Sequence, residues 1–110
     1  MNVNAPELGK LQLSVLMAVA TLDDEAYGLG VRREVSEVRG REYSVGAIYT
    51  TLSRLEEKGL LESWETPPRP ERGGRSRRQY ELTAAGRTAL REARRVAARL
   101  WDLEPGVGPA

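Results

Sequence analysis

A chain of 110 residues, 40% hydrophobic and 30% charged with a net charge of +1, suits one small domain. Having no Cys and no His, it can form no disulfide, thiolate nucleophile, Cys/His zinc site or histidine-dependent triad. A carboxylate-only acid/base or metal site stays formally open, but the acidic residues are scattered beside Lys and Arg along helical stretches, the pattern of a solvated face, so neither an enzyme nor a bound cofactor is expected.

Residues 7–21 are read as a first helix, because Leu8, Leu11, Val15, Val19 and Leu22 recur with the helical period. Leu13, Leu16, Met17 and Ala20 make its other faces apolar too, so it must be covered on more than one side. In so small a domain, one of those sides is expected to meet another subunit. The apolar run over residues 11–22 is too short to span a bilayer and lacks the flanks of a signal peptide, which makes the cytoplasm the expected compartment. After the acidic turn Asp23, Asp24 and Glu25, the residues Tyr27, Val31, Val35 and Val38 form one stripe of a second helix that ends at Gly40, with Arg32, Arg33, Glu34 and Glu37 on its solvated side.

Ser44 is a good N-cap for a third helix, Ile48, Leu52 and Leu55 form its core stripe, and Gly59 stops it. The opposite face carries Gly46, Tyr49, Thr50, Ser53 and Arg54, small and hydrogen-bonding, where an ordinary solvated helix would carry Glu and Lys. Such a face lets the floor of a nucleic-acid groove approach closely. Residues 60–65 and 78–82 then alternate as two strands, and Trp64 is expected to pack on the domain with its strand. Pro67, Pro68, Pro70, Gly73 and Gly74 break the chain between the strands, and Arg69, Arg72, Arg75, Arg77 and Arg78 against Glu71 make that loop strongly basic. These arginines would repel one another without a polyanion between them. Thr83 caps a fourth helix with a narrow stripe of Leu90, Ala93, Ala97 and Leu100, broadened by Ala89, Val96 and Trp101.

Three helices, a hairpin with a basic tip and a last helix read as a winged helix-turn-helix, mainly α with a small β-hairpin. In that arrangement one helix enters the DNA major groove and the wing lies along the phosphates. Residues 1–83 are the expected DNA-binding domain, 84–103 a dimerisation helix and 104–110 a flexible tail. The expected DNA-facing set is Ser44, Gly46, Tyr49, Thr50, Ser53 and Arg54 on the third helix with Arg72, Arg75, Arg77 and Arg78 in the wing. The expected dimer seam is Leu11 and Val15 with Leu90, Ala93, Ala97, Leu100 and Trp101. A winged helix can also serve as a protein-docking module without specific DNA binding; the basic wing argues against that rival, since docking has no need of it.

Three stretches carry a resemblance. AIYTTLSRLEEKGL over residues 47–60 resembles the recognition-helix signature of the PadR-like transcriptional regulators, GRSRRQYELTAAG over residues 74–86 resembles their wing-to-last-helix signature, and YGLGV over residues 27–31 resembles the start of their second helix. The resemblance covers roughly residues 8–101. It implies a repressor that binds an inverted-repeat operator as a homodimer. It also implies the short subfamily, in which a single C-terminal helix mediates dimerisation. Some members bind a small flat aromatic effector at the dimer interface, but Trp64 and Trp101 are read here as packing residues, Trp101 against a partner's first helix. Members often have Pro where Thr50 stands and an aromatic where Leu29 and Gln79 stand, which implies a different meeting of helix and bases and different packing at the wing root.

Overall fold

The computed structural model describes residues 8–67 and 76–103. Their elements run α1 (Lys10–Leu22), a 3-10 turn (Asp23–Glu25), α2 (Gly28–Arg39), α3 (Val45–Glu57), β1 (Leu61–Thr66), β2 (Arg77–Leu82) and α4 (Ala84–Leu103). β1 and β2 pair antiparallel, from Leu61 opposite Leu82 to Thr66 opposite Arg77. This is the helical fold with one hairpin that the pattern implied. The first helix begins later than the expected residue 7, because Gly9 is extended, with ψ 166°, and accepts only the first intrahelical bond, from Leu13 N–H.

The helix ends follow their local chemistry. Ser44 Oγ accepts the Ala47 N–H at 3.0 Å, one of the four amides a helix start leaves unpaired. At the far end of α3, Gly59 takes φ 78°, a left-handed conformation that costs glycine nothing. That turn lets Gly59 N–H reach Glu56 O at 2.9 Å and Leu60 N–H reach Leu55 O at 2.9 Å, closing the helix and aiming the chain into β1. Gly40 ends α2 in the same way.

Val15 and Leu16 of α1, Val31 and Val35 of α2, and Ile48, Leu52 and Leu55 of α3 meet in one core, closed by Leu60, Leu61, Tyr80 and Leu82 from the hairpin and Leu90 from α4. Each such side chain contributes about 1.5–3 kcal/mol of burial. A bridge not visible in the sequence adds to this. Tyr27, just before α2, pairs with Gln79, and Tyr80 N–H donates to Ala26 O at 3.0 Å. The hairpin is thereby tied to the start of α2 as well as to α3.

Three expectations need correcting. Val38 lies on the Val31–Val35 stripe but is 72% exposed, because no described residue packs over its side chain. Trp64 does not pack into the domain and stays 42% exposed, because it points away from the face of the hairpin that carries Leu61 and Leu82. Val15 and Leu90 are taken up by the chain's own core, so neither is free to form a seam with a second copy. Leu11 and Ala93 are half-buried, while Ala97, Leu100 and Trp101 are exposed on the later turns of α4.

Candidate nucleic-acid interface

The outward face of α3 consists of Val45, Gly46, Tyr49, Thr50, Ser53 and Arg54, all exposed. From Ser44 until Arg54 the helix carries no charge. Its buried face takes Ile48, Thr51, Leu52 and Leu55, and Thr51 satisfies its hydroxyl by donating to Ala47 O at 2.8 Å. The helix therefore presents a nearly neutral, hydrogen-bonding surface, with its positive dipole end at Ser44. A Cβ added at Gly46 would meet nothing within 4 Å, so that corner of the face is flat and open.

Tyr49 has two neighbourhoods. It is 39% exposed, yet its ring lies against α2, where a Cβ added at Gly28 would fall 2.2 Å from Tyr49 Oη. Glycine at residue 28 is therefore what admits the ring. The phenol at the edge of the exposed face is supported from behind by the first turn of α2.

The turn from α2 to α3 sets the direction in which this face points, and it is held by groups that the sequence did not reveal. Arg32 Nε donates to Tyr43 O at 2.6 Å and its Nη2 reaches Glu42 Oε1 at 3.4 Å. Tyr43 N–H donates to Ser36 Oγ at 3.2 Å, and Arg39 Nε donates to Tyr43 Oη at 2.7 Å. The Arg41 guanidinium stacks over the Tyr43 ring at 4.8 Å. Tyr43 is thus gripped at its amide, carbonyl, ring and hydroxyl, and Ser44 follows it directly.

At the wing root, Arg77 is half-buried with its guanidinium 5.2 Å from the Tyr27 ring centroid, near enough for a cation–π contact. Arg78, exposed, donates from Nη1 to Ser63 Oγ at 2.9 Å. The buried Gln79 donates from Nε2 to Asp23 O at 2.9 Å, so the polar residue that departs from the family pattern fastens β2 to the turn after α1. Leu29, another of the departures, is 55% exposed. Burial, with Tyr49 and Glu56 nearby, pushes the Tyr80 phenol above its ordinary value of 10.0, while Arg78 opposes the shift. Arg69, Arg72 and Arg75 lie outside the described residues. Among the described residues there is no acidic cluster able to hold a metal ion and no helix long and apolar enough to cross a membrane.

The structure thus gathers the α3 candidates on one face and sets Arg77 and Arg78 at the loop end of the neighbouring hairpin, while Ser44 is also engaged in capping. Comparison with known proteins places this geometry in context. The model of the transcriptional regulator PadR-like family matches residues 15–92. The transcriptional regulator Rv3488 of Mycobacterium tuberculosis is 43% identical over 74 residues, 67% of this chain and 64% of that protein, so the match spans less than two thirds of the relative. Among solved structures, RosR of H. salinarum superposes with a TM-score of 0.72 at 28% identity, covering 89% of this chain and 81% of that one. A PadR family transcriptional regulator from Eggerthella lenta gives a TM-score of 0.62 at 27% identity, covering 80% and 74%.

Proposed function

The chain belongs to the PadR-like family of transcriptional regulators, and from that premise we propose that it is a sequence-specific DNA-binding repressor acting in the cytoplasm as a homodimer on an inverted-repeat operator. The observation that carries this reading is the nearly neutral, hydrogen-bonding outer face of α3, with Arg54 as its one charge, beside a hairpin whose tip is rich in arginine. A major groove offers acceptors, donors and thymine methyls to such a face, while the flanking backbone offers phosphates to the wing. In this reading Tyr49, Thr50, Ser53 and Arg54 meet the groove, Ser44 and Gly46 allow the close approach of the helix start, and Arg72, Arg75 and Arg77 meet phosphates.

The homodimer is supported by α4. Beyond Leu90 its side chains leave the core, and Val96, Leu100 and Trp101 are 43%, 61% and 57% exposed. With Ala93 and Ala97 they form an apolar strip that a second copy would cover, and Met17, 42% exposed on α1, is a further large apolar side chain that could join it. Two-fold pairing would place the two α3 helices in successive major grooves. Any effector bound at this seam, a flat aromatic molecule for instance, would act by changing that spacing.

The test is selection of bound sequences from a random DNA pool, followed by titration in salt. The expected result is an inverted repeat with half-site centres about 10 bp or a multiple apart. Replacing both Arg75 and Arg77 with Ala should weaken binding to all DNA and lower the salt slope by roughly one unit for each phosphate that is no longer neutralised. No enrichment, together with binding that ignores salt, would leave the protein-docking rival standing.

A further inference from the structure

The antiparallel register places Arg78 opposite Glu65, on the same face of the hairpin as Ser63, Tyr80, Leu61 and Leu82. That is the face turned toward α3. Arg78 reaches neither a distant partner nor open solvent with all its donors. Its Nη1 donates to Ser63 Oγ at 2.9 Å, and the same hydroxyl donates onward to Glu56 Oε2 at 2.7 Å. The chain of bonds therefore runs from a guanidinium through a hydroxyl to a carboxylate, with an ionised group at each end, where hydrogen bonds are shorter and stronger than neutral ones. It spans β2, β1 and the last turn of α3. No other side-chain bond among the described residues joins the hairpin to the recognition helix in this way.

On the other face of the hairpin, Gln79 and Arg77 hold to the Asp23 carbonyl and the Tyr27 ring. The loop end of the hairpin is thus secured on both faces, but only the Arg78 side refers it to α3. The register puts these anchors at the loop end of the strands, where Arg77 faces Thr66 and Arg78 faces Glu65, so they act where the chain enters the arginine-rich loop. Arg78 is also flanked by two carboxylates, Glu56 through Ser63 and Glu65 across the strands, which offset the charge it could offer a phosphate.

We infer that Arg78, Ser63 and Glu56 form a positioning chain that fixes the angle of the wing relative to the recognition helix, so that both can engage one stretch of DNA. The inference rests on the DNA-binding reading above, and it assigns Arg78 a role other than phosphate contact. It makes a prediction opposite in sign to simple electrostatics. Removing the negative charge of Glu56 should strengthen binding to a polyanion if charge alone matters. If position matters, binding should weaken.

The experiment measures the affinity and salt slope of the full chain for the duplex selected from a random pool and for an unrelated duplex of equal length. Glu56→Ala and Ser63→Ala should each weaken binding to the selected duplex about three- to tenfold, the scale of one hydrogen bond in a partly exposed network, with an unchanged salt slope. Glu56→Gln, which keeps an oxygen to accept from Ser63, should restore binding to within about twofold of wild type. Adding Arg78→Ala to Glu56→Ala should cost little more, because the chain is already broken. Urea midpoints, measured alongside, should fall by no more than one such bond accounts for, leaving each variant folded under the binding conditions. The inference is overturned if Glu56→Ala binds as tightly as wild type or tighter, or if Arg78→Ala alone lowers the salt slope by about one unit, the mark of a phosphate ligand. If the wild-type chain enriches no sequence, the DNA-binding reading fails first and this inference with it.

Discussion

Gly46 and Gly86 both sit in the first turn of a helix, and replacing each with alanine should have opposite effects. Local propensity treats them alike, since alanine is favoured over glycine by up to about 1 kcal/mol in a helix and by less in its first turn. At Gly46 nothing opposes the gain, because an added Cβ meets no atom within 4 Å. At Gly86 the added Cβ would lie 2.1 Å from the Leu60 carbonyl oxygen and 3.1 Å from Leu82 Cδ2. Both the oxygen and the helix that must retreat from it are backbone, so α4 would have to withdraw by roughly 1 Å to relieve the overlap. That movement strains the joint at Thr83. Thr83 Oγ1 donates to Gly59 O at 2.6 Å and accepts from Gly86 N–H at 3.0 Å, and Thr83 N–H donates to Leu60 O at 3.1 Å. Losing two of these at about 0.5–1.5 kcal/mol each, less the propensity gain, leaves a net cost of about 1–2 kcal/mol. Gly46→Ala should instead stabilise the free protein by a few tenths of a kcal/mol. Urea unfolding followed by circular dichroism, at one protein concentration so that any association is held constant, reads both values. Gly86→Ala as stable as wild type would refute the close approach of α4 to Leu60. The Gly46 variant carries a second reading: if the helix start meets a groove floor, the more stable protein should bind its selected DNA more weakly.

Other substitutions probe other joints. The raised Tyr80 value means the folded state favours the neutral phenol, so its stabilising share is complete below the unfolded value of 10.0 and is lost as pH rises through the folded one. Tyr80→Phe should therefore unfold like wild type at pH 7 yet lose less stability as the pH is raised above 10.0; urea midpoints that fall equally in both proteins would remove Tyr80 as the cause. Gly28→Ala should push the Tyr49 ring off α2 while the fold survives, because only a half-exposed side chain has to move; unchanged affinity in fluorescence polarisation would take Tyr49 out of the interface. Ala97→Glu with Leu100→Glu should give folded monomers by light scattering and weak DNA binding, whereas a wild-type monomer with full affinity for a single half-site would sink the homodimer.

Much of the fold was legible because its signals are local. Ser44 as a cap, Gly40 and Gly59 as stops, the Ile48–Leu52–Leu55 stripe and the alternation around the Pro- and Gly-rich loop each act within a turn or two of their own position. The basic wing and the neutral outer face of α3 were legible for the same reason, since both are properties of contiguous sequence. Even there, the periodic stripe of α2 overreached at Val38, because periodicity tells which face a residue shares and not whether a neighbour covers it.

Patterns along the chain specify the elements, their order, the nearly neutral face of α3 and the place of the positive charge. Tertiary structure alone decided how these are fastened to one another. Tyr27 meets Gln79 and the Arg77 guanidinium, Tyr43 is gripped by Arg32, Arg39 and Arg41, and Arg78 reaches Glu56 through Ser63. It also decided that Val15 and Leu90 belong to the inner core while Leu100 and Trp101 remain outside it. A cap or a period is set by bonds and spacings along the chain. A clamp between segments up to tens of residues apart depends on how whole elements pack, and nothing within either segment specifies its partner.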